Sequence, residues 1–123
     1  MLRRLFVPLV VLALALAAAA VGSARTTAAH KLLGEVGPGY KIEVTTPADK
    51  DVKTTKAGTY TIVVEDKASI HDFHLIGPGV NKKTGVAFVG KKTWTVTLKP
   101  GKYTYQCDPH ATQGMKGSFR VTR

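Results

Sequence analysis

The chain has 123 residues, one cysteine and a formal net charge of +10 at pH 7. This length allows one folded domain with a single core. Its basic residues are mostly scattered or paired lysines with no aromatic–basic platform, so we do not expect nucleic acid as a partner.

The N-terminal residues have the composition of an export signal. Arg3 and Arg4 precede the apolar run LFVPLVVLALALAAAA, and the small residues VGSA follow it. We therefore predict a signal peptide over residues 1–24 and a periplasmic, cell-envelope or extracellular location. An uncleaved anchor is the alternative, but the run is shorter than the about 20 apolar residues that a membrane span needs.

Residues 25–38 are predicted to form a partly flexible N-terminal segment, ahead of a domain over residues 39–123. In that domain apolar residues recur at every second position, as in half-buried strands. The inward-facing sets are Tyr40, Ile42 and Val44; Tyr60, Ile62 and Val64; Trp94, Val96 and Leu98; Tyr103, Tyr105 and Cys107; Phe119 and Val121. Turn signals such as KPGK separate them, which predicts an all-β antiparallel sandwich or barrel. The segment NKKTGVAFVGKK, residues 81–92, is compatible with a strand, a loop or a short helical turn.

The segment SIHDFHLIGPG contains two of the four histidines. In a strand, His71 shares a face with the large apolar residues Phe73 and Leu75. The opposite, outward face would then carry Asp72, His74 and Ile76. We therefore expect His71 to point into the core and His74 to lie outside it. His30 is expected to be a solvated residue near the mature N-terminus.

The stretch CDPHATQGM, residues 107–115, brings together the single cysteine, a histidine and a methionine. Cys107 ends a predicted strand, Pro109 stops its ladder, and the following loop can return His110 and Met115 to the same point. A thiolate, a thioether and two imidazoles, with His71 supplying the second, are the ligand set of blue copper sites. Zinc could use the cysteine and the histidines, but it rarely binds a thioether.

The sequence KPGKYTYQCDPHATQGMKGSF resembles the ligand loop of the cupredoxins of the plastocyanin/pseudoazurin type, in which Cys-x-x-His is followed by four residues and Met. GTYTIVVED and HDF resemble the upstream strands of that family. The resemblance implies a Greek-key β-sandwich, one mononuclear type 1 copper ion and one-electron transfer. It also implies that the copper ligands are His71, Cys107, His110 and Met115. The family usually has asparagine where this chain has Asp72, and that residue ties its strand to the cysteine loop. An aspartate can still accept N–H bonds from the loop, but its negative charge leaves the reduction potential open.

We therefore expect a monomeric, exported electron carrier that is not an enzyme. Its redox partner is unidentified but expected to be acidic, given the basic chain, and weak contact with an anionic envelope surface is a further expectation. A copper-binding protein for storage or delivery of the metal is the alternative. A multicopper enzyme module would need a second copper centre, usually connected through a histidine beside the cysteine, and here Gln106 and Asp108 flank Cys107.

Overall fold

A computed structural model describes residues 29–123 and, separately, Gly22. The predicted signal peptide therefore lies outside the described residues, apart from that glycine. Residues 29–123 form nine strands and one short 3₁₀ helix: β1 His30–Val36, β2 Ile42–Thr45, β3 Thr54–Lys56, β4 Gly58–Asp66, β5 His74–Gly77, β6 Val80–Lys83, β7 Gly90–Leu98, β8 Gly101–Gln106, the 3₁₀ helix Asp108–Gln113 and β9 Lys116–Thr122. In this part of the chain, no helix is both long and apolar enough to cross a membrane.

The strands form two sheets that pack as a sandwich. One sheet has the order β2-β1-β4-β7, and the other has the order β3-β9-β8-β5-β6. Neighbours such as β4 and β7 are distant in sequence, as Greek-key connectivity requires. The prediction of an all-β sandwich is confirmed, but its purely antiparallel form is wrong. The chain leaves the first sheet after β2 and returns to it with β4, which runs parallel to β1. In the second sheet, β3 runs parallel to β9.

The alternating pattern correctly located most of the core. Nearly all the residues expected to face inward are buried, and Ile42 and Trp94 pack against the core while partly buried. Tyr40 is the exception, because it is 63% exposed. It precedes β2, which begins only at Ile42, so the strand alternation does not apply to it.

The expected boundary at residue 38 needs correction, because residues 25–38 do not all lie outside the domain. His30–Val36 is strand β1, and Leu32 and Val36 are buried in the core. Gly34 interrupts the apolar alternation of this strand and so conceals it in the sequence. A Cβ at Gly34 would lie 2.8 Å from Cζ of Phe73, so the close packing of that ring needs glycine there.

The ambiguous segment, residues 81–92, is divided between two strands. Its first residues complete β6, and its last ones begin β7 at Gly90. The residues between them connect the strands, and Thr84 is buried at the start of that connection. The predicted strand that carries His71 is also shorter than expected, since β5 begins only at His74.

Candidate metal centre

His71 lies in the connection between β4 and β5 and is fully buried. Its backbone N–H donates to the carbonyl oxygen of Ala68 at 3.3 Å. Two residues later, the N–H of Phe73 donates to Oγ1 of Thr84 at 3.0 Å, and the Phe73 carbonyl accepts from the Thr84 N–H at 3.1 Å. The backbone on both sides of His71 is therefore fixed by hydrogen bonds outside any strand ladder.

Asp66 connects these hydrogen bonds on both sides of His71. One of its carboxylate oxygens accepts from the Ala68 N–H at 3.3 Å, and the other accepts from the Thr84 hydroxyl at 3.0 Å. Burial raises the pKa of Asp66, and those two hydrogen bonds oppose the rise. Sequence reasoning missed this residue, although the alternation of Tyr60, Ile62 and Val64 continues to position 66 and places an acid on the inward face.

Cys107 follows β8 and is fully buried. The 3₁₀ helix begins at the next residue, with Pro109 in its first turn, and is followed by Gly114, whose φ of 92° is left-handed and favours glycine. The chain then turns back. The Met115 N–H donates to the His110 carbonyl at 3.2 Å, and the Cys107 N–H donates to the Met115 carbonyl at 3.0 Å. The structure therefore confirms the prediction that the loop returns to Cys107.

Three potential ligand atoms converge at this end of the sandwich. Nδ1 of His71 lies 3.0 Å from Nδ1 of His110, and Sγ of Cys107 lies 3.7 Å from the former and 3.4 Å from the latter. The point equidistant from the three atoms is about 2.0 Å from each, which matches the bond lengths of about 2.0–2.3 Å that nitrogen and sulfur ligands make to a metal such as zinc. The residues present therefore fit a trigonal metal site.

Met115 and the cysteine thiol give this site a soft character. Met115 is 1% exposed and is tied through its backbone to both Cys107 and His110. Burial raises the pKa of the Cys107 thiol, while backbone N–H groups of Asp72 and His110 oppose the rise. A metal must displace the thiol proton, so metal binding here is coupled to proton release. Thiolate and thioether ligands favour copper over harder metal ions.

The ring of His71 is also oriented from its far side. Its Nε2 lies 3.3 Å from the carbonyl oxygen of Pro38. With the proton on Nε2, His71 donates to that carbonyl and keeps Nδ1 free for a metal. Tyr40 places its ring edge-on to His71 at 5.5 Å and to His110 at 4.8 Å. The loop before β2 therefore supports the site, a role that its turn-like sequence did not indicate.

His74 lies outside the site, as predicted. Its Nδ1 is 2.8 Å from Oδ1 of Asp108, and its Nε2 is 2.6 Å from Oδ1 of Asn81. Burial alone would lower the pKa of His74, but the hydrogen bonds to Asn81 and Asp108, with the charges of Asp108 and Asp72, outweigh it and raise the pKa. The predicted link from Asp72 to the cysteine loop is present, because the Asp108 N–H donates to Oδ1 of Asp72 at 2.6 Å.

Asp72 differs from the expected face of its strand, because it is 1% exposed rather than outward-facing. It precedes β5, where the strand alternation does not yet apply. Burial raises the pKa of Asp72, and the Asp108 N–H opposes the rise. His30 is exposed as predicted, although it belongs to β1 and its ring lies 5.3 Å from that of Tyr60.

One protein family and several solved structures are similar to this chain. The family described as copper binding proteins of the plastocyanin/azurin family matches residues 17–122. Reduced rusticyanin has a TM-score of 0.54 and 24% identity, over 75% of this chain and 78% of that chain. Auracyanin from the photosynthetic bacterium Roseiflexus castenholzii has a TM-score of 0.54 and 22% identity, over 79% of this chain and 100% of that chain.

A multi-copper oxidase from Pediococcus acidilactici is also similar, with a TM-score of 0.50 and 16% identity. The match covers 80% of this chain but only 27% of the oxidase. The identities to these three structures are low, so the structural similarity shows a shared fold and nothing further about chemistry.

Proposed function

Because the chain belongs to the plastocyanin/azurin family of copper-binding proteins, we propose that it is an exported type 1 copper protein that carries one electron at a time. The main support is the arrangement of three donor atoms, from His71, Cys107 and His110, at mutual distances of 3.0–3.7 Å. Met115 is proposed as the weak axial ligand, because this family of sites pairs a trigonal His₂Cys set with a distant thioether. Bound copper would supply a one-electron couple between Cu(II) and Cu(I).

The chain's own residues would keep the ligand geometry nearly unchanged during electron transfer. The Pro38 carbonyl orients His71, and the Asp66 and Thr84 hydrogen bonds fix the backbone on both sides of it. Cys107 and Met115 are fully shielded from solvent, whereas His110 is partly exposed. The His110 imidazole is therefore the proposed path by which an electron enters and leaves.

Storage or delivery of copper is the competing function. A delivery protein must release its metal, and release is easier from an open, flexible site than from a buried one whose ligand loops are fixed by hydrogen bonds. The burial of His71, Cys107 and Met115 therefore favours the electron carrier. We propose no enzymatic activity, and the multi-copper oxidase corresponds to this chain over only a quarter or so of its length.

Electron self-exchange and metal transfer distinguish the two functions directly. In a mixture of Cu(I) and Cu(II) protein, exchange broadening of NMR signals measures the self-exchange rate, while a chelator with a coloured copper complex measures metal loss. We expect rapid self-exchange and a slow loss of copper. Slow self-exchange together with rapid, complete transfer of copper to the chelator would favour delivery instead.

Export is a separate part of the proposal and rests on residues 1–24. Expression of the full chain in a bacterial host, followed by N-terminal sequencing of the protein from the periplasmic fraction, tests it. We expect a mature N-terminus at or a few residues beyond Arg25. An unprocessed protein that remains with the membrane fraction would indicate an anchor.

A further inference from the structure

The outer face of the five-stranded sheet is basic. Strand alternation buries Tyr103, Phe119 and Val121 on the inner side and so directs their neighbours outward. The exposed cations on this side are Lys53, Lys56, Lys83, Lys102, Lys116 and Arg120. We refer to these six residues as the basic face. Three of them, Lys53, Lys102 and Arg120, line a surface groove of about 430 Å³.

Most acidic residues of the chain lie elsewhere; the exception is Asp108, which is hydrogen-bonded to His74 and Gln106 at one end of this face. All eight are among the described residues, and three glutamates belong to the four-stranded sheet. Two of those glutamates form ion pairs with lysines, Glu43 with Lys41 at 3.3 Å and Glu35 with Lys67 at 2.8 Å. Within residues 29–123, no cation of the basic face has a carboxylate within 4 Å. The four-stranded sheet therefore carries charges of both signs, including Lys31 and Lys91, whereas the cations of the basic face have no carboxylate partner among the described residues.

Two of these cations are placed directly against each other. Lys102 of β8 is the register partner of Arg120 of β9, and Arg120 is in turn the partner of Thr54. Like charges at directly opposed positions destabilise a sheet. A surface selected only for solubility has no need of that arrangement, whereas a surface that attracts an anionic partner benefits from the concentrated positive charge.

The basic face also reaches the end of the sandwich that holds the candidate metal centre. Lys83, His74, Gln106 and Lys116 form a row across the sheet at that end. Lys102 lies four residues before Gln106 along β8, or about 13 Å away at 3.3 Å per residue. A partner bound along this surface would therefore have its edge beside the loop that carries His110.

We propose that the basic face is the docking surface for an acidic protein partner. This inference rests on the proposed function in that the partner would exchange the electron carried by copper. The positive charge of the basic face would attract the acidic partner and orient it. Added salt would screen this attraction and so weaken the association. An anionic membrane fits less well, because surfaces that bind lipid interfaces add large apolar side chains, and the only large apolar residue exposed on this face among the described strands is Ile76, at 38%.

An NMR titration tests the proposal without using copper chemistry as its readout. The copper(I)-loaded protein is titrated at low salt with poly-L-glutamate, as the acidic polypeptide, and separately with vesicles of phosphatidylcholine and phosphatidylglycerol. Shifts should concentrate in β3, β8 and β9 for the polypeptide, with at least about tenfold weaker binding at 0.5 M salt. Because the metal is not needed for this readout, repeating it on metal-free protein separates a failure here from a failure of the electron-carrier proposal.

Matched neutralising variants identify the surface. Lys102→Gln with Arg120→Gln should weaken binding of poly-L-glutamate by about tenfold or more, and should leave the melting temperature unchanged or raised because an unfavourable charge pair is removed. Lys31→Gln with Lys50→Gln lowers the net charge equally but lies away from this face. It should have a much smaller effect.

Three results would overturn the proposal. Equal weakening by both double variants would mean that only the net charge matters. Shifts confined to the four-stranded sheet would place the contact on the other face. Tight binding to the phosphatidylglycerol vesicles through the same residues, without binding of the polypeptide, would assign the face to a membrane surface.

Discussion

The surroundings of His71 and His74 differ although the two residues are only three positions apart. The His71 ring is buried and faces Cys107 and His110, whereas His74 is hydrogen-bonded to Asp108 and Asn81. We predict that His71→Ala abolishes or severely distorts copper binding and that His74→Ala retains the coloured site. Visible absorption and electron paramagnetic resonance of the two loaded variants measure this. Loss of the site in the His74 variant alone would show that the ligand assignment is wrong.

The raised pKa of His74 predicts a pH dependence of stability. The folded pKa lies above the ordinary value of 6.5, so the folded state binds the proton more tightly than the unfolded chain does. The stabilisation from the protonated ring is fully present below about pH 6 and is lost as the pH rises through the folded pKa. We therefore expect the free energy of unfolding to fall more steeply in the native sequence than in His74→Gln as the pH rises above the ordinary histidine pKa of 6.5.

Urea unfolding at a series of pH values, with both proteins in the same metal state, measures that difference. Parallel pH profiles for the two proteins would contradict the account of His74.

At the residue scale, what the sequence allowed us to predict depended on local spacing. The four expected ligands could be chosen because Cys107, His110 and Met115 lie within nine residues and because apolar neighbours mark His71. The residues that hold His71 in position could not be predicted from local spacing. Thr84 is 18 residues from Asp66 and the Pro38 carbonyl is 33 residues from His71, so no local pattern connects them.

At the scale of elements, the connection from β4 to β5 acquires its shape from one buried acid. In Asp66→Ala the Thr84 hydroxyl and the Ala68 N–H both lose their acceptor, and each buried unpaired group costs about 1–3 kcal/mol. We predict a destabilisation of about 2–4 kcal/mol and an altered copper spectrum, because the loop that carries His71 is released. Asp66→Asn retains an oxygen acceptor and should recover part of both effects.

Chemical denaturation and electron paramagnetic resonance of these variants provide the readouts, and Thr84→Val is the companion variant because it removes the hydroxyl that connects Asp66 to Phe73. An Asp66→Ala protein with native stability and an unchanged spectrum would show that the network does not position the loop.

Strands whose apolar residues alternate clearly could be predicted from the sequence. Strand β1 and the direction of strand pairing could not. β4, β7, β8 and β9 each have apolar residues at alternate positions along most of their length and a mainly polar opposite face. β1 has glycine at a core-facing position, so its alternation does not identify it as a strand. Whether a strand pairs parallel or antiparallel depends on which sheet the chain enters next, and side-chain alternation carries no information about that choice.

At the scale of the whole molecule, a metal that binds only the folded state must stabilise it. At a free copper concentration 100 times the dissociation constant, the gain is about 2.7 kcal/mol. For a domain of this size that corresponds to a rise of roughly 10–20 °C in the melting temperature. We expect the metal-free protein to fold as well, because the core formed by the two sheets contains many buried apolar residues that do not contact the site.

Differential scanning calorimetry with and without copper tests this prediction, with Cys107→Ser as the control whose melting temperature should respond much less. Coincident melting temperatures for the native sequence would mean that the site does not form as described.

The visible spectrum of the copper(II)-loaded protein shows whether Cys107 binds the metal, because a thiolate bound to copper(II) gives an intense charge-transfer band in the visible region. We predict an intensely blue or green protein, and the loss of that intense band after Cys107→Ser. A colourless native protein under oxidising conditions, with the Cys107 thiol still free, would contradict the assignment of a type 1 copper site.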